Sequence, residues 1–340
     1  MELGIGLSYW GETRPQGTVD LLRRALDLGY TSAWTAEAYG SDALTPIAAY
    51  SAAVPELYYG TAVAQLSART PACAAMSAMT LDHLTGGRFS LGLGVSGPQV
   101  VEGWYGAPFR RPLERMREYV GIIRRISARE QPLTFEGRQF TLPYPGGTGL
   151  GKPLRSILRP VRDIRVLIGA EGPKNVSMAA EIGDGWIAWL FSPHACEPYK
   201  AALAEGFARP GARRTPKDFD VVASVFAVVD DDVEKAADQV RPTIALYVGG
   251  MGAKGSNFHY DVVARMGFEA EAARIQDHYL AGRKKEAIAA VPRQLVEQLA
   301  LIGPPAKIRD DLAAWQESAV TTLVVEGTEQ AMAAVAQGRG

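Results

Sequence analysis

The stretch LTGGRFSLGLGVSGPQVVEGWYG, residues 84–106, decides the fold. It contains a G-x-G-x-x-G motif beginning at Gly92, a spacing typical of dinucleotide-binding turns. Such a turn needs a strand, then the glycines, then a helix that opens directly on the pyrophosphate. Here Pro98 follows the third glycine, and the next predicted helix begins only near Arg111. The glycines are therefore predicted to open a loop at the C-terminal end of an inner strand, where β/α barrels keep their chemistry.

Strand-like segments alternate with amphipathic helical segments along most of the chain. The predicted strands span residues 3–8, 31–37, 57–64, 88–94, 164–170, 184–191, 219–229 and 320–327. They are short, apolar and β-branched, as expected for strands that are buried on both faces. Eight such units predict a (β/α)8 TIM barrel. An open doubly wound sheet is the competing architecture, but there is no change in composition between two halves of the chain.

Two segments interrupt the alternation and are predicted to be insertions into one barrel domain spanning residues 1–340. Residues 131–163 are rich in glycine and proline, which predicts a hairpin and loop after strand four. Residues 251–292 predict a partly helical insertion after strand seven. Insertions of this kind serve as lids or substrate walls. Contact between subunits is the alternative role for the second insertion.

The composition excludes several classes of protein. Hydrophobic residues make up 47% of the 340 residues, charged residues make up 21%, and the net charge is −1. These are ordinary globular values, and they give no electrostatic case for nucleic acid or an anionic membrane. No apolar run reaches the roughly 20 residues of a membrane-spanning helix, and no signal peptide is evident. Cys73 and Cys196 lie far apart, which predicts neither a disulfide nor a metal site, and we expect a cytoplasmic enzyme.

Several ordered blocks resemble the bacterial luciferase-like superfamily. They are AEAYGSDALTP (36–46), YGTAVAQLSARTPA (59–72), LDHLTGGRFSLGLGVSG (81–97), GAEGPKN (169–175) and AAEIGDGW (179–186). Two later blocks, ALYVGGMGAKGSNF (245–258) and IQDHYLAGRK (275–284), are similar to the branch that uses the deazaflavin coenzyme F420. The resemblance covers nearly the whole chain, so it is specific for the family. It is not specific for the substrate.

The block GAEGPKN carries the clearest prediction of a cofactor site. A strand ends at Gly169 and Pro173 is suited to start a helix, so free backbone N–H groups and the helix dipole can bind an anion there. Lys174 adds a positive charge. In the family this loop lines the cofactor, and the resemblance therefore implies contacts from Gly169, Ala170, Glu171, Gly172 and Lys174.

The resemblance implies further cofactor contacts at the ends of strands two, three and four. It implies a non-proline cis peptide between Ala62 and Val63 that supports the tricyclic ring. Small residues in LGLGVSG let the backbone approach the cofactor. The remaining expected contacts are Glu37, where the family commonly has an acidic residue, and Gly94, Ser96 and Gly97.

The proton donor cannot be carried over from the family. The position after Glu37 is often histidine, but here it is Ala38, and a methyl group cannot move a proton. The catalytic candidates are therefore Tyr39, whose phenol can donate, Glu37, and His259 if the second insertion folds over the pocket. Trp10, Glu102 and Trp104 are the candidates for substrate contact, with packing under the loops as the alternative for the two tryptophans.

The expected reaction follows from the expected cofactor. Coenzyme F420 has carbon in place of ring N5, so it carries hydride and reacts poorly with oxygen. The resemblance implies hydride transfer between the cofactor and an organic substrate, a small molecule or a peptide. Within that reaction class we expect reduction of an activated C=C or C=N bond in a natural product or modified peptide, with oxidation of an alcohol as the reverse-direction alternative. One alternative is an FMN-dependent monooxygenase, and another is a cofactor-binding protein without turnover. A homodimer is expected from the family alone.

Overall fold

Eight parallel strands form a closed ring in the structure, a computed structural model that describes residues 1–339. The strands are β1 Glu2–Ser8, β2 Ser32–Thr35, β3 Tyr58–Thr61, β4 Phe89–Gly94, β5 Arg165–Gly169, β6 Gly185–Ala188, β7 Asp220–Val229 and β8 Thr322–Gly327. Each strand pairs with the next along the chain, and β8 pairs back onto β1. The (β/α)8 prediction is confirmed, and the open sheet is excluded.

Helices follow the strands and cover the outside of the ring. They are α1 Thr18–Asp27, α2 Thr45–Ala53, α3 Pro71–Leu84, α4 Pro98–Gly103, α5 Pro112–Ala128, α6 Pro173–Ile182, α7 Glu197–Phe207, α8 Val233–Ala245, α9 Phe258–Val263, α10 Glu269–Leu280, α11 Lys284–Ala289, α12 Arg293–Leu299, α13 Pro305–Glu317 and α14 Glu329–Gln337. Several begin at proline, whose fixed φ suits a first helical turn. Within residues 1–339 we find no helix with the length and apolarity to cross a bilayer.

The structure corrects the sequence prediction after β4. We expected no helix before Arg111, but α4 begins at Pro98, directly after Gly97. Proline lacks only an N–H that a first turn leaves unpaired anyway, so it starts this helix rather than preventing it. A short strand, Ala300–Gly303, was also missed; it pairs with Phe226–Val229 beyond the end of β6.

Both interrupting segments have local structure of their own. In residues 131–163, Phe135–Glu136 pairs antiparallel with Thr141–Leu142 to form a hairpin against α5. In residues 251–292, α9, α10 and α11 pack with α8 and α12 around a second apolar cluster. This second segment therefore extends the barrel at the end of β7.

An apolar plug fills the inside of the ring. Its members are Trp34, Leu167, Ile187, Val222 and Val324. Trp34 fits because Gly60 faces it: a Cβ atom on Gly60 would overlap the indole ring. Layers of inward side chains of this kind make a TIM barrel a packed core rather than a pore.

A cluster of ion pairs closes the N-terminal end of the ring. Asp184 precedes β6 and is fully buried, and the guanidinium groups of Arg124, Arg213 and Arg214 converge on its carboxylate. Burial alone would raise the pKa of Asp184, but Arg124, the backbone N–H of Val166 and Arg213 together lower that pKa to about 2. This end is a structural ion cluster, which leaves the C-terminal end for chemistry.

We predict that Gly60→Ala lowers the free energy of unfolding by about 1–3 kcal/mol, because the added methyl group overpacks a rigid indole. Urea unfolding measures the change. Gly103→Ala is the control, since a Cβ atom there meets nothing within 4 Å. Trp34→Phe in the Gly60→Ala background should recover part of the loss, and the absence of any recovery would contradict this account of the plug.

Candidate active site

Ala62 and Val63 form the floor of the barrel mouth. A cis peptide bond joins them, and both are half-buried while Thr61 and Ala64 on either side are buried. Both side chains pack on top of the apolar plug. The floor of the mouth therefore lies at the end of β3, where the family resemblance placed support for a ring.

The Val63 side chain explains why glycine is needed at two neighbouring positions. A Cβ atom on Gly94 would overlap Val63 Cγ2, and a Cβ atom on Gly169 would lie 3.0 Å from Val63 Cγ1. These glycines at the ends of β4 and β5 make room for Val63. Sequence reasoning assigned Gly94 to close approach of a ligand; the structure shows that the protein itself uses that space.

The loop after β5 is arranged as an anion-binding terminus. Ala170 is fixed, because its N–H donates to Ile187 O at 3.2 Å and its carbonyl accepts from Trp186 Nε1 at 2.7 Å. Gly172 caps α6 with ordinary extended φ and ψ, and a Cβ atom on it would meet nothing within 4 Å. Lys174 is exposed on the same first turn. Among residues 1–339, no acceptor pairs with the N–H of Gly172 or Lys174. These two free donors at the start of α6 form an open anion-binding site, here called the cradle.

The insertion after β7 is fastened to this loop through Glu171. His259 Nδ1 lies 2.7 Å from Glu171 Oε1, and Arg265 Nη2 donates to the Glu171 carbonyl at 2.9 Å. The His259 ring also meets Tyr247 edge to face, with ring centroids 4.8 Å apart, and Tyr247 packs on Trp189 of the loop after β6. The insertion thus supplies an aromatic wall for the mouth.

Glu37 has structural partners at both carboxylate oxygens. Arg69 binds it with two hydrogen bonds of 2.6 and 2.9 Å, Gln65 N donates at 2.6 Å and Ala43 N donates at 3.0 Å. The Glu37 side chain is only 3% exposed. Its carboxylate therefore ties the loop after β2 to the chain after the cis peptide, and its geometry favours a positioning role over proton transfer.

The other expected residues lie on the rim of the mouth. Ser96 is half-buried in the left-handed region at φ 58°, and Gly97 caps α4. Trp10 is half-buried, and its N–H donates to Ser41 Oγ at 2.9 Å.

The most exposed of these residues are Tyr39, Glu102 and Trp104. Tyr39 is 55% exposed and Trp104 is 65% exposed. Glu102 is also exposed, and its carboxylate accepts from Phe109 N at 3.2 Å, so it stabilises the loop after α4.

Glu326 is a candidate that sequence reasoning missed. It lies in β8, two residues beyond Val324 of the plug, so its side chain points into the mouth. Gly6 of β1 makes room for it, since a Cβ atom there would lie 2.5 Å from Glu326 Cγ. Among residues 1–339, no group donates a hydrogen bond to its carboxylate. The available signal was an acidic residue at the C-terminal end of an apolar barrel strand, in VTTLVVEG.

The surroundings of Glu326 favour its neutral form. Burial raises the pKa of Glu326 to about 7. Burial also raises the pKa of Tyr9, with contributions from Tyr39 and Glu326, and it raises the pKa of Tyr247, so these phenols keep their protons. The mouth therefore contains a carboxyl group that exchanges its proton near neutral pH.

We predict that Glu37→Gln lowers the free energy of unfolding by about 3 kcal/mol, because Arg69 loses its bidentate partner in a mostly buried setting and keeps only the more distant Asp42, 3.8 Å away. Chemical denaturation measures the loss. Asp20→Asn, which removes an exposed ion pair with Arg23, is the matched control and should change stability by less than about 1 kcal/mol. If the two variants are equally stable, the proposed clamp is wrong.

Glu326→Gln should stabilise the protein in a pH-dependent way. An unfolded glutamate loses its proton near 4.5, whereas Glu326 in the folded protein keeps its proton until about 7. Stability of the wild type is therefore lost as pH rises between these values, by about 3 kcal/mol in all, and glutamine escapes this loss.

Unfolding at pH 4.5 and pH 8 tests the effect. The variant should gain relative to the wild type only at pH 8. Glu317→Gln, an exposed change on α13, should shift stability equally at both pH values. A gain for Glu326→Gln that is the same at both pH values would contradict the raised pKa.

Comparisons with known proteins agree with this geometry. The model of the luciferase-like monooxygenase family matches residues 4–322. A Mycobacterium tuberculosis protein, Rv3520c, named as a proposed coenzyme F420-dependent oxidoreductase, is 48% identical over 328 residues, which cover 96% of this chain and 94% of that protein. A 5,10-methylenetetrahydromethanopterin reductase of Archaeoglobus fulgidus is 35% identical over 182 residues, covering 53% of this chain and 50% of the reductase.

A solved structure has the same fold. The coenzyme F420-dependent tetrahydromethanopterin reductase of Methanopyrus kandleri superposes with a TM-score of 0.80 at 23% identity, covering 99% of this chain and 97% of the reductase. At that identity the similarity speaks for the barrel alone. The family match and the 48% identical relative establish more: this chain belongs to the luciferase-like monooxygenase family.

Proposed function

We propose that this protein is an F420-dependent oxidoreductase that transfers hydride between the reduced deazaflavin and an organic substrate. The observation that carries the proposal is the open cradle at Gly172, where the N–H groups of Gly172 and Lys174 have no acceptor within residues 1–339, together with the floor at Ala62 and Val63, which Gly169 of the same loop approaches. A phosphate-bearing tricycle needs both features, an anion site and a flat support. The 48% identical relative supports the choice of F420 over FMN.

The residues present fit the cofactor. Gly172 and Lys174 would hold its phosphate, with Gly169, Ala170 and Glu171 forming the turn below. Ala62 and Val63 would support the ring, and Ser96 and Gly97 would border it from the loop after β4. When bound, F420 supplies a hydride at a ring carbon and reacts poorly with oxygen.

The aromatic wall has its own task in the reaction. Trp189, Tyr247 and His259 enclose one side of the mouth and limit water there. The protein thereby orients the substrate carbon against the ring, and orientation of this kind is a large part of catalysis.

For the substrate we propose an activated C=C or C=N bond in a natural product or modified peptide, with oxidation of an alcohol as the reverse direction. Support comes from the rim, where Trp10, Tyr39 and Trp104 offer flat apolar surfaces. Glu102 belongs to the same rim.

A homodimer and a cytoplasmic location remain predictions from the family resemblance.

Titration with the two oxidised cofactors tests the function. We expect F420 to bind at least tenfold more tightly than FMN, measured by quenching of cofactor fluorescence. Gly172→Val should weaken F420 binding at least tenfold by filling the cradle, and Gly172→Ala should have a smaller effect. Both variants should unfold at the wild-type denaturant concentration, because the backbone of Gly172 is extended and its Cβ position is open.

Other outcomes point to the two alternatives. Tight binding of FMN alone, with oxygen consumption by the reduced flavin, would replace the proposal by a monooxygenase. Binding of F420 without reduction of any member of a panel of enones, imines and dehydroamino acids would favour a cofactor carrier. Wild-type affinity in Gly172→Val would remove the α6 terminus from the site.

A further inference from the structure

We propose that Glu326 is the group that exchanges a proton with the substrate during hydride transfer. This inference rests on the proposed oxidoreductase function and names a residue for the step that Ala38 leaves without a donor. The argument depends on where the carboxyl group lies, on what surrounds it, and on what occupies the other candidates.

The position of Glu326 is that of a reacting group. It is one layer above the plug, beside Gly6 of β1 and Phe226 of β7. The residue as a whole is half-buried. Catalytic residues of TIM barrels come from the C-terminal ends of strands, and Glu326 is the penultimate residue of β8.

The other candidates are engaged in structural contacts or are largely exposed to solvent. Both carboxylate oxygens of Glu37 are taken by Arg69 and backbone donors. His259 lies against the Glu171 carboxylate and fastens the insertion. Tyr39 lies on the rim with more than half of its surface exposed. Glu326 alone combines a position above the floor with a carboxyl group that receives no hydrogen bond from residues 1–339.

The environment suits proton exchange in both directions. An acid whose pKa lies near neutral pH serves best as both proton donor and proton acceptor, and burial raises the pKa of Glu326 to about 7. The titratable groups that interact with it are the phenols of Tyr9, from the loop after β1, and Tyr247, from the segment after α8. Its strand neighbours Gly6 and Phe226 carry no charge.

The step balances as follows for an enone. The substrate β-carbon gains a hydride from reduced F420, and the C=C π bond breaks. Its electron pair takes the carboxylic proton of Glu326 at the α-carbon. The substrate would be reduced by two electrons, the oxidised F420 would release its remaining proton to water, and the Glu326 carboxylate would regain a proton from water.

Kinetics of Glu326→Gln and Glu326→Asp, with Glu317→Gln as control, test the role. The substrate is whichever member of the enone, imine and dehydroamino acid panel the wild type reduces fastest. We expect kcat to fall at least 100-fold in Glu326→Gln, with F420 affinity and KM within threefold of wild type. Glu326→Asp should keep part of the activity, and Glu317→Gln all of it.

The pH profile separates proton transfer from mere support of the site. Reduction needs the protonated acid, so wild-type kcat should fall as pH rises through about 7, and this inflection should be absent from Glu326→Gln. Infrared titration of the protein without substrate is an independent measurement. The wild type minus Glu326→Gln difference spectrum should contain a carboxylic C=O band that disappears with a midpoint near pH 7.

Three outcomes would overturn the proposal. They are a kcat within threefold of wild type in Glu326→Gln, an unchanged inflection in that variant, and a difference spectrum with no band that titrates above pH 5.5. If the wild type binds F420 but reduces no panel member, the oxidoreductase function fails and the role of Glu326 fails with it. Loss of the Glu326 role alone leaves wild-type turnover and F420 binding intact, so the two failures are distinguishable.

Discussion

The packing of Trp34 inside the ring is the constraint on which the rest of the structure depends. The indole and four aliphatic side chains close the inside of the barrel, and the absence of a side chain at Gly60 leaves room for the indole ring. Closure at this height fixes the depth of the mouth and provides the apolar base on which Val63 lies. Glu326 lies in the layer above this base. One packing interaction thus stabilises the core and supports the floor of the site.

Two polar attachments then shape the mouth around that base. Glu37 and Arg69 join the loop after β2 to the chain beyond the cis peptide, and Glu171 joins the insertion to the loop after β5 through His259 and Arg265. Loops that carry a binding site are otherwise the least stable parts of a barrel. Because each attachment joins elements distant in sequence, the floor and one wall of the mouth are held in a fixed relation.

The sequence predicts the barrel well because apolar strands and periodic helices are local signals. All eight strands of the ring are where alternation placed them, and the G-x-G-x-x-G at Gly92 spans the end of a barrel strand and the short turn that leads into α4. The failures have physical reasons. Pro98 was read as a barrier to a helix that it starts. The roles of Glu37 and Glu326 depend on which donors reach each carboxylate, and those donors come from residues far away in the chain.

Three acidic residues show how the surroundings decide the role of a side chain. Asp184 is surrounded by three arginines, and its pKa lies at about 2, so it stays charged and closes the N-terminal end. Glu37 has a single arginine and backbone donors, which use all of its acceptor capacity for structure. Glu326 has neither, and its pKa rises to about 7. A cation beside Glu326 would fix its charge and end its capacity to donate, so the absence of a salt bridge to it within residues 1–339 is the feature that makes proton transfer feasible there.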